Sequence, residues 1–300
     1  MLGYAAMNHR LRAREPPLRC NRDMRKATWE KRGLDYAADL AEQNLRDLRA
    51  ILEWNRDHDI RLYRVSSGLV PWQSQFDLPE LPNYGTVADL ARECGELVES
   101  AGLRLTFHPD YWCKLASESA DTVERSVESV THHGDWLDLM GLDRSPRYAI
   151  NVHIGAHYGD KAATADRFCE VVASLPPRAR DRLVVENDDK SSLWSVPELV
   201  DQVADRVGIP VTFDYHHHSF TDRGYSYREA FALAAETWAD TRPIAHYSES
   251  ARLHGDADAR PQDHSEHVSD LPEWLRRRAD VMVESHGKEE SVLRFQPDRY

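Results

Sequence analysis

The residues that could do chemistry here are histidines and carboxylates, and they recur at one kind of place. Short apolar runs end in turn at Asn8, Ser66–Ser67, His108, His153, Glu186, Asp214, His246 and Glu284. In FDYHHH, His217 follows Asp214 by three positions, so a carboxylate and an imidazole can reach one ion together. DHSEH adds His264 and His267 farther along. A lone histidine at a strand end is ordinarily a hydrogen-bonded structural residue, and HHH alone reads equally as a His-rich surface turn. A whole series of such ends, with Asp214 just before the HHH, points instead to a metal centre. Imidazoles and carboxylates without thiolates suit hard or borderline divalent ions such as Mn²⁺, Zn²⁺, Co²⁺ or Fe²⁺. One ion takes about four to six ligands, so this inventory suffices for two or three. A cluster of that size suits phosphodiester hydrolysis, where one ion generates hydroxide and the others neutralise the phosphate and the leaving oxygen.

Such residues meet only if the fold brings the run ends together. The runs lie at 3–7, 61–66, 103–108, 147–153, 182–187, 210–214, 243–248 and 280–285. Between them, apolar residues recur at three- and four-residue steps. Leu34, Ala38, Ala41, Leu45, Leu48 and Leu52 predict one helix, Val87 to Ala101 a second, and Val123, Val127 and Val130 the start of a third. Strand–helix alternation repeated about eight times predicts an α/β fold, a single (β/α)8 TIM barrel over residues 1–300, with its site at the C-terminal strand ends. A doubly wound sheet is the other candidate, but no G-x-G-x-x-G or Walker-type loop occurs. No Pro/Gly/Ser linker divides the chain.

Composition narrows the class. Eight Trp, twelve Tyr and seven Phe in 300 residues supply a core and argue against disorder. No apolar run reaches the roughly 18 residues of a membrane helix, and MLGYAAMNHRLRARE lacks a secretory pattern, so a cytoplasmic protein is expected. Cys20, Cys94, Cys113 and Cys169 are far apart, which argues against a disulfide framework or a thiolate zinc site. Arg outnumbers Lys 32 to 6, which reflects a GC-rich genome more than function. The net charge of −13 speaks against a general nucleic-acid coat protein. Residues 10–26 are the exception: Arg10, Arg12, Arg14, Arg19, Arg22, Arg25 and Lys26 face only Glu15 and Asp23, a net +5. That stretch is either a solvated charge run or a phosphate-gripping loop.

Taken in order, LGYAAMN, ILEWN, RLYRVSS, TFHPDYW, VHIGAHYGDK, VVENDDK, FDYHHH, AHYS with DHSEH, and DVMVESHGKE resemble the motif series of the UV-damage endonucleases, over roughly residues 2–295. The resemblance implies a TIM barrel related in architecture to endonuclease IV, with two or three divalent ions at its mouth. Manganese is typical, with zinc, cobalt or magnesium as alternatives. It implies incision immediately 5′ to cyclobutane dimers, 6-4 photoproducts and some other lesions, leaving a 3′-hydroxyl and a 5′-phosphate. The metal ligands it implies are His108, His153, Glu186, Asp214, His217, His246, His264 and Glu284, with Glu186 and His217 also catalytic. Tyr4 and Asn8, four apart, fall on one face of a strand directed into the mouth. The resemblance makes them catalytic contacts to the lesion or the scissile phosphate; the competing reading of Tyr4 is a core aromatic.

Three departures stand out. Ile244 occupies the place of a lysine two residues before the strand-seven histidine, which in some members is carboxylated beside the metals. Tyr111 and Trp112 stand for the Gln-aromatic pair that probes the duplex, and two aromatics still suit insertion into a distorted stack. Ser285 and His286 replace a common Ala and Lys, His286 reading as a residue behind the ligands. The expected partner is double-stranded DNA carrying UV lesions, contacted by Tyr4, Asn8, Tyr111, Trp112, Arg10, Arg12 and Arg14. No membrane and no obligate protein partner is expected, and a monomer working on the nucleoid. The alternatives are a divalent-metal sugar isomerase, which needs neither the basic stretch nor the aromatic pair, and a catalytically silent damage-binding relative lacking the lysine.

Overall fold

The computed structural model describes residues 1–296. Eight strands, β1 (Leu2–Ala5), β2 (Leu62–Arg64), β3 (Arg104–Thr106), β4 (Ile150–Val152), β5 (Leu183–Glu186), β6 (Val211–Asp214), β7 (Ile244–Tyr247) and β8 (Asp280–Val283), form one parallel sheet in the order β3-β2-β1-β8-β7-β6-β5-β4. The Phe107–Ile150 bridge joins β3 to β4 and closes the sheet into a nearly complete barrel. Each strand is followed by helix: α1 (Lys26–Asp57), α2 (Tyr84–Ser100), α3 (Ala120–Leu139), α4 (Lys161–Ser174), α5 (Val196–Leu199), α6 (Tyr227–Glu236), α7 (Glu273–Arg278) and α8 (Lys288–Leu293). The barrel expected from strand–helix alternation is therefore the observed one.

The helices form where the apolar periodicity placed them. Ala38, Ala41, Leu45, Leu48 and Leu52 of α1 are buried against the barrel. Leu34 is only partly buried, because α1 breaks at Gly33 (φ 57°, ψ −147°), a conformation that favours glycine. Side chains cap several starts: Ser119 accepts from the Thr122 amide, and Ser195 with Glu198 and Ser226 with Glu229 form reciprocal boxes.

Strand register decides which residues face the barrel interior. Gly3 pairs with Leu62 and Met282, and Ala5 with Arg64. A Cβ on Gly3 would lie 2.0 Å from the Leu62 carbonyl oxygen, so only glycine fits. At the strand starts, Arg104 of β3 reaches Asp280 of β8 at 2.9 Å, both almost wholly buried. Asp280 also receives Arg242 and the N-terminal ammonium, so the buried charges are matched. The four cysteines are buried free thiols. Among the described residues, no helix is long and apolar enough to cross a membrane.

Candidate metal centre and nucleic-acid face

Glu186 ends β5 with 1% of its surface exposed, and imidazoles surround it. His108 Nε2 and His153 Nε2 each lie 3.5 Å from its Oε2, and His246 Nδ1 lies 3.0 Å from the same oxygen. His217 Nδ1 lies 3.3 Å from Oε1. Two groups bring their donor atoms within 4.8 Å of one another: His108, His153 and Glu186, and Glu186, Asp214 and His246. Glu186 belongs to both, as a carboxylate bridging two ions would.

The donor set fits divalent ions on the structure's own terms. Asp214 is fully buried; its Oδ1 accepts the His217 amide at 2.7 Å, but its Oδ2 meets no donor among the described residues. A buried carboxylate oxygen left bare is costly unless a cation faces it. Hydrogen bonds behind the ligands orient them. The ring Nδ1 atoms of His217 and His108 face the carbonyls of Asn187 and Pro109 at 2.9 and 3.0 Å, which leaves each Nε2 for an ion. Asn187 pins β6 by bonding both the amide and the carbonyl of Asp214, and Asn151 donates to Glu186.

The charges here are strongly coupled. Burial alone would raise the Glu186 carboxyl, but His246, His153, His108 and His217 together hold it well below the usual carboxylate range. Burial opposes the charged form of His217 too, yet Asp214, Glu186 and Glu284 drive it well above the usual histidine value. His153 moves up, Glu186 and Asp188 outweighing its burial, whereas His108 moves down because burial dominates. Glu284 is pulled down against its burial by Arg64 and His246. Carboxylates held deprotonated are what an ion needs, and an ion ligated by His217 or His153 would displace the proton that these carboxylates favour there.

A profile of the family described as UV-endonuclease UvdE matches residues 1–298. This chain belongs to the UvdE family. It is similar to the UV-damage endonuclease of Schizosaccharomyces pombe, with 31% identity over 97% of this chain and 49% of that one. It is also similar to the UV DNA damage endonuclease of Bacillus thuringiensis subsp. konkukian, with 30% identity over 87% and 82%. The solved structure of SacUVDE superposes with a TM-score of 0.83 at 29% identity, covering 97% of this chain and 95% of that one. The chain spans about half the length of the curated relatives from S. pombe and Neurospora crassa.

In this UvdE-family barrel, His108, His153, Glu186, Asp214, His217, His246 and Glu284 converge. His264 stands beside them in the loop after β7, bridged to Ser250, with its ring edge-on to His216. Tyr4 does not point into the mouth, contrary to the strand-face expectation. Its hydroxyl donates to Asn55 of α1 at 2.8 Å, its ring packs edge-on to Tyr63, and burial holds it well above the usual phenol value. The face assignment failed because the chain turns at Ala6 (φ 64°) after β1, so Asn8 is not on the strand. Asn8, also buried, accepts the Leu11 amide and donates to Tyr4, capping the short helix His9–Arg12.

The aromatic pair sits at the rim. Tyr111 is 90% exposed and borders a cavity of about 470 Å³ lined also by His108, His153, Asp188 and His217. Trp112 is 43% exposed and borders a separate cavity of about 450 Å³ with Trp72, Gln73 and Trp136. The basic stretch is partly neutralised: Arg10 pairs with Glu290, Arg22 with Asp47 and Lys26 with Glu30, whereas the side chains of Arg12 and Arg14 lie at the surface. Ile244 is buried with Ala149, Val184 and Trp238 and supplies no donor. His286 is exposed, and Ser285 bonds Ser291 instead.

Sequence reasoning missed Arg64, Asn151 and Asp188. Arg64 Nη2 lies 2.6 Å from Glu284, and Asp188 Oδ1 lies 3.4 Å from His153 Nδ1. The signal for Asn151 and Asp188 was two-residue spacing from His153 and Glu186. Arg64 carried none, since an arginine inside a strand reads as a surface residue.

Proposed function

We propose that this chain is a metal-dependent DNA repair endonuclease that nicks the strand immediately 5′ to UV photolesions, cyclobutane dimers and 6-4 photoproducts among them, leaving a 3′-hydroxyl and a 5′-phosphate. One observation carries the reading: the buried carboxylate of Glu186 is shared by two ligand groups at the mouth of a barrel matched almost end to end by the UvdE family. The names of the S. pombe and Bacillus relatives support an endonuclease for UV-damaged DNA.

Bound divalent ions, manganese by the family resemblance, would supply hydroxide and offset the charge of the phosphate and the leaving oxygen. His108, His153 and Glu186 would hold one ion, and Glu186, Asp214 and His246 a second, with His217, His264 and Glu284 completing the shell. Asn187 holds Asp214 and His217 in place, and Asn151 holds Glu186. Ile244 removes no member of either ligand group, which favours an active enzyme over a silent binder. Tyr4 and Asn8 act from the wall, fixing the turn that leads into the basic stretch.

On the DNA side, the surface arginines Arg12 and Arg14 meet phosphates, Tyr111 forms a wedge beside the ligands, and Trp112 extends it along the rim over the neighbouring cavity. A photodimer is already poorly stacked, so extruding it costs less than extruding normal bases, and a wedge fills the space it leaves. A small-sugar isomerase has no use for either feature. The protein acts as a monomer on nucleoid DNA. The test is relaxation of supercoiled plasmid: the protein should nick UV-irradiated plasmid with Mn²⁺, and should leave it intact in chelator or when unirradiated. Nicking that ignores irradiation would refute the lesion reading, and nicking in chelator the metal reading.

A further inference from the structure

Lys114 follows the exposed Tyr111–Trp112 pair on the loop after β3 and is half-buried. Its amide donates to Ser126 Oγ at 2.8 Å, and Ser126, fully buried on α3, donates in turn to the Thr122 carbonyl at 2.6 Å. The lysine backbone is therefore fixed, and its side chain crosses to the loop after β4. There it ends where Gly155 lacks a side chain: a Cβ on Gly155 would overlap Lys114 Nζ and stand 3.2 Å from its Cε. Gly155 is also left-handed (φ 65°), a conformation that favours glycine. Lys114 and Gly155 both border the cavity of about 470 Å³ lined by His108, His153 and His217.

Among the described residues, the Lys114 ammonium makes no hydrogen bond or ion pair. Carboxylates are near, since Asp110, Asp188 and Asp189 border the same cavity. Asp188 is engaged elsewhere, its Oδ1 3.4 Å from His153 Nδ1 and its Oδ2 3.4 Å from the Trp194 amide. Lys114 thus presents three donors on a half-buried wall, paired with no anion of the described chain. An ammonium that gives up water there needs an anion in its place. A strand whose phosphodiester reaches His108, His153 and Glu186 brings its neighbouring phosphates to this wall, and a phosphate is the partner that a lysine takes as a point charge.

We propose that Lys114 binds a backbone phosphate of the incised strand, next to the phosphate at the metal centre, and that Gly155 leaves the room its ammonium occupies. This rests on the endonuclease reading above. Arg12 and Arg14 lie at the surface, whereas Lys114 lies inside the mouth. It is met by a strand seated on the ligands and not by DNA that merely touches the rim. A contact made equally in the ground and transition states acts on KM and leaves kcat alone.

Nicking of a duplex with one cyclobutane dimer in Mn²⁺, at several salt concentrations, tests this. Lys114→Met keeps the apolar stem and removes the charge. It should raise KM about tenfold, leave kcat within about twofold, and flatten the log–log salt dependence of kcat/KM by about one unit. Binding to undamaged duplex, read by fluorescence anisotropy, should change by less than about twofold. A second set of duplexes locates the contact, each with one uncharged methylphosphonate beside the cut. At one position the unaltered protein should lose about tenfold in kcat/KM and Lys114→Met almost nothing further. Equal losses in both proteins at every position overturn the proposal. So does an unchanged KM, including one with a fallen kcat, which would put Lys114 at the reacting phosphate. Circular dichroism confirms folding, and Lys114→Gln serves if the Met variant does not fold. If the unaltered protein nicks no dimer duplex, the endonuclease reading itself falls, an outcome distinct from these.

Discussion

His217 Nδ1 stands 3.3 Å from Glu186 Oε1, whereas His108, His153 and His246 all approach the other oxygen of that carboxylate. One side chain therefore gathers candidate ligands that follow or end β3, β4, β6 and β7. Replacing Glu186 by Gln keeps the shape but removes the charge and one acceptor. Mn²⁺ binding and nicking should both fall by more than the roughly 10–100-fold typical of losing a partner behind a ligand. The far-ultraviolet circular dichroism should stay unchanged. Retained stoichiometric Mn²⁺ uptake would show that Glu186 is not a bridge.

The barrel was legible because eight apolar runs alternate with apolar 3.6-residue periodicity, and each run proved to be a strand to within a few residues. The convergence of the candidate site residues was legible because the fold carries every strand end to one rim. Tyr4 was not, because period-two alternation holds only while the chain stays extended, and it turns at Ala6. Arg64 was not, because its partners Glu284 and His246 come from β8 and β7, and only barrel closure makes them neighbours. The +5 of residues 10–26 overstated the available charge, since Glu290 and Asp47 lie outside that window.

That partial neutralisation divides the arginines. Arg12→Ala with Arg14→Ala should weaken binding to damaged and undamaged duplex alike. It should also flatten the log–log salt dependence by about one unit for each phosphate left without its guanidinium. Arg22, held against Asp47 at 2.6 Å with little exposure, should instead lower the melting temperature when changed to Ala. A salt slope untouched by the Arg12 and Arg14 changes would show a solvated charge run.

Trp112 is too exposed for its loss to empty the core, where a buried Trp→Ala costs about 3–5 kcal/mol. Trp112→Ala should shift stability by less than about 1 kcal/mol yet lower the preference for irradiated over intact duplex several-fold, given about 1–3 kcal/mol per base–aromatic stack. Tyr111→Ala should do the same. Unchanged preference in competition binding would remove the wedge.

His133 gives a pH signature away from the ligands. Its ring is buried against Phe107, with Nδ1 at the Ser129 carbonyl, and burial pushes it down to about 4. The unfolded chain protonates near 6.5 while the folded protein stays neutral, so stability is fully present above that value and is lost as pH falls from about 6.5 to about 4. The loss should be about 3 kcal/mol from this residue. Denaturant unfolding in chelator should show a shallower pH dependence for His133→Phe by about that amount; identical profiles would contradict the assignment.

The most direct measurement uses a duplex oligonucleotide with one cyclobutane dimer, end-labelled, incubated with chelator-stripped protein and then with added Mn²⁺. No product should form before the ion is added. After addition, a single cut should appear at the phosphodiester immediately 5′ to the dimer, with a 3′-hydroxyl that a polymerase can extend. A cut in chelator, a cut elsewhere, or equal cutting of the dimer-free duplex would contradict a metal-dependent, lesion-directed endonuclease.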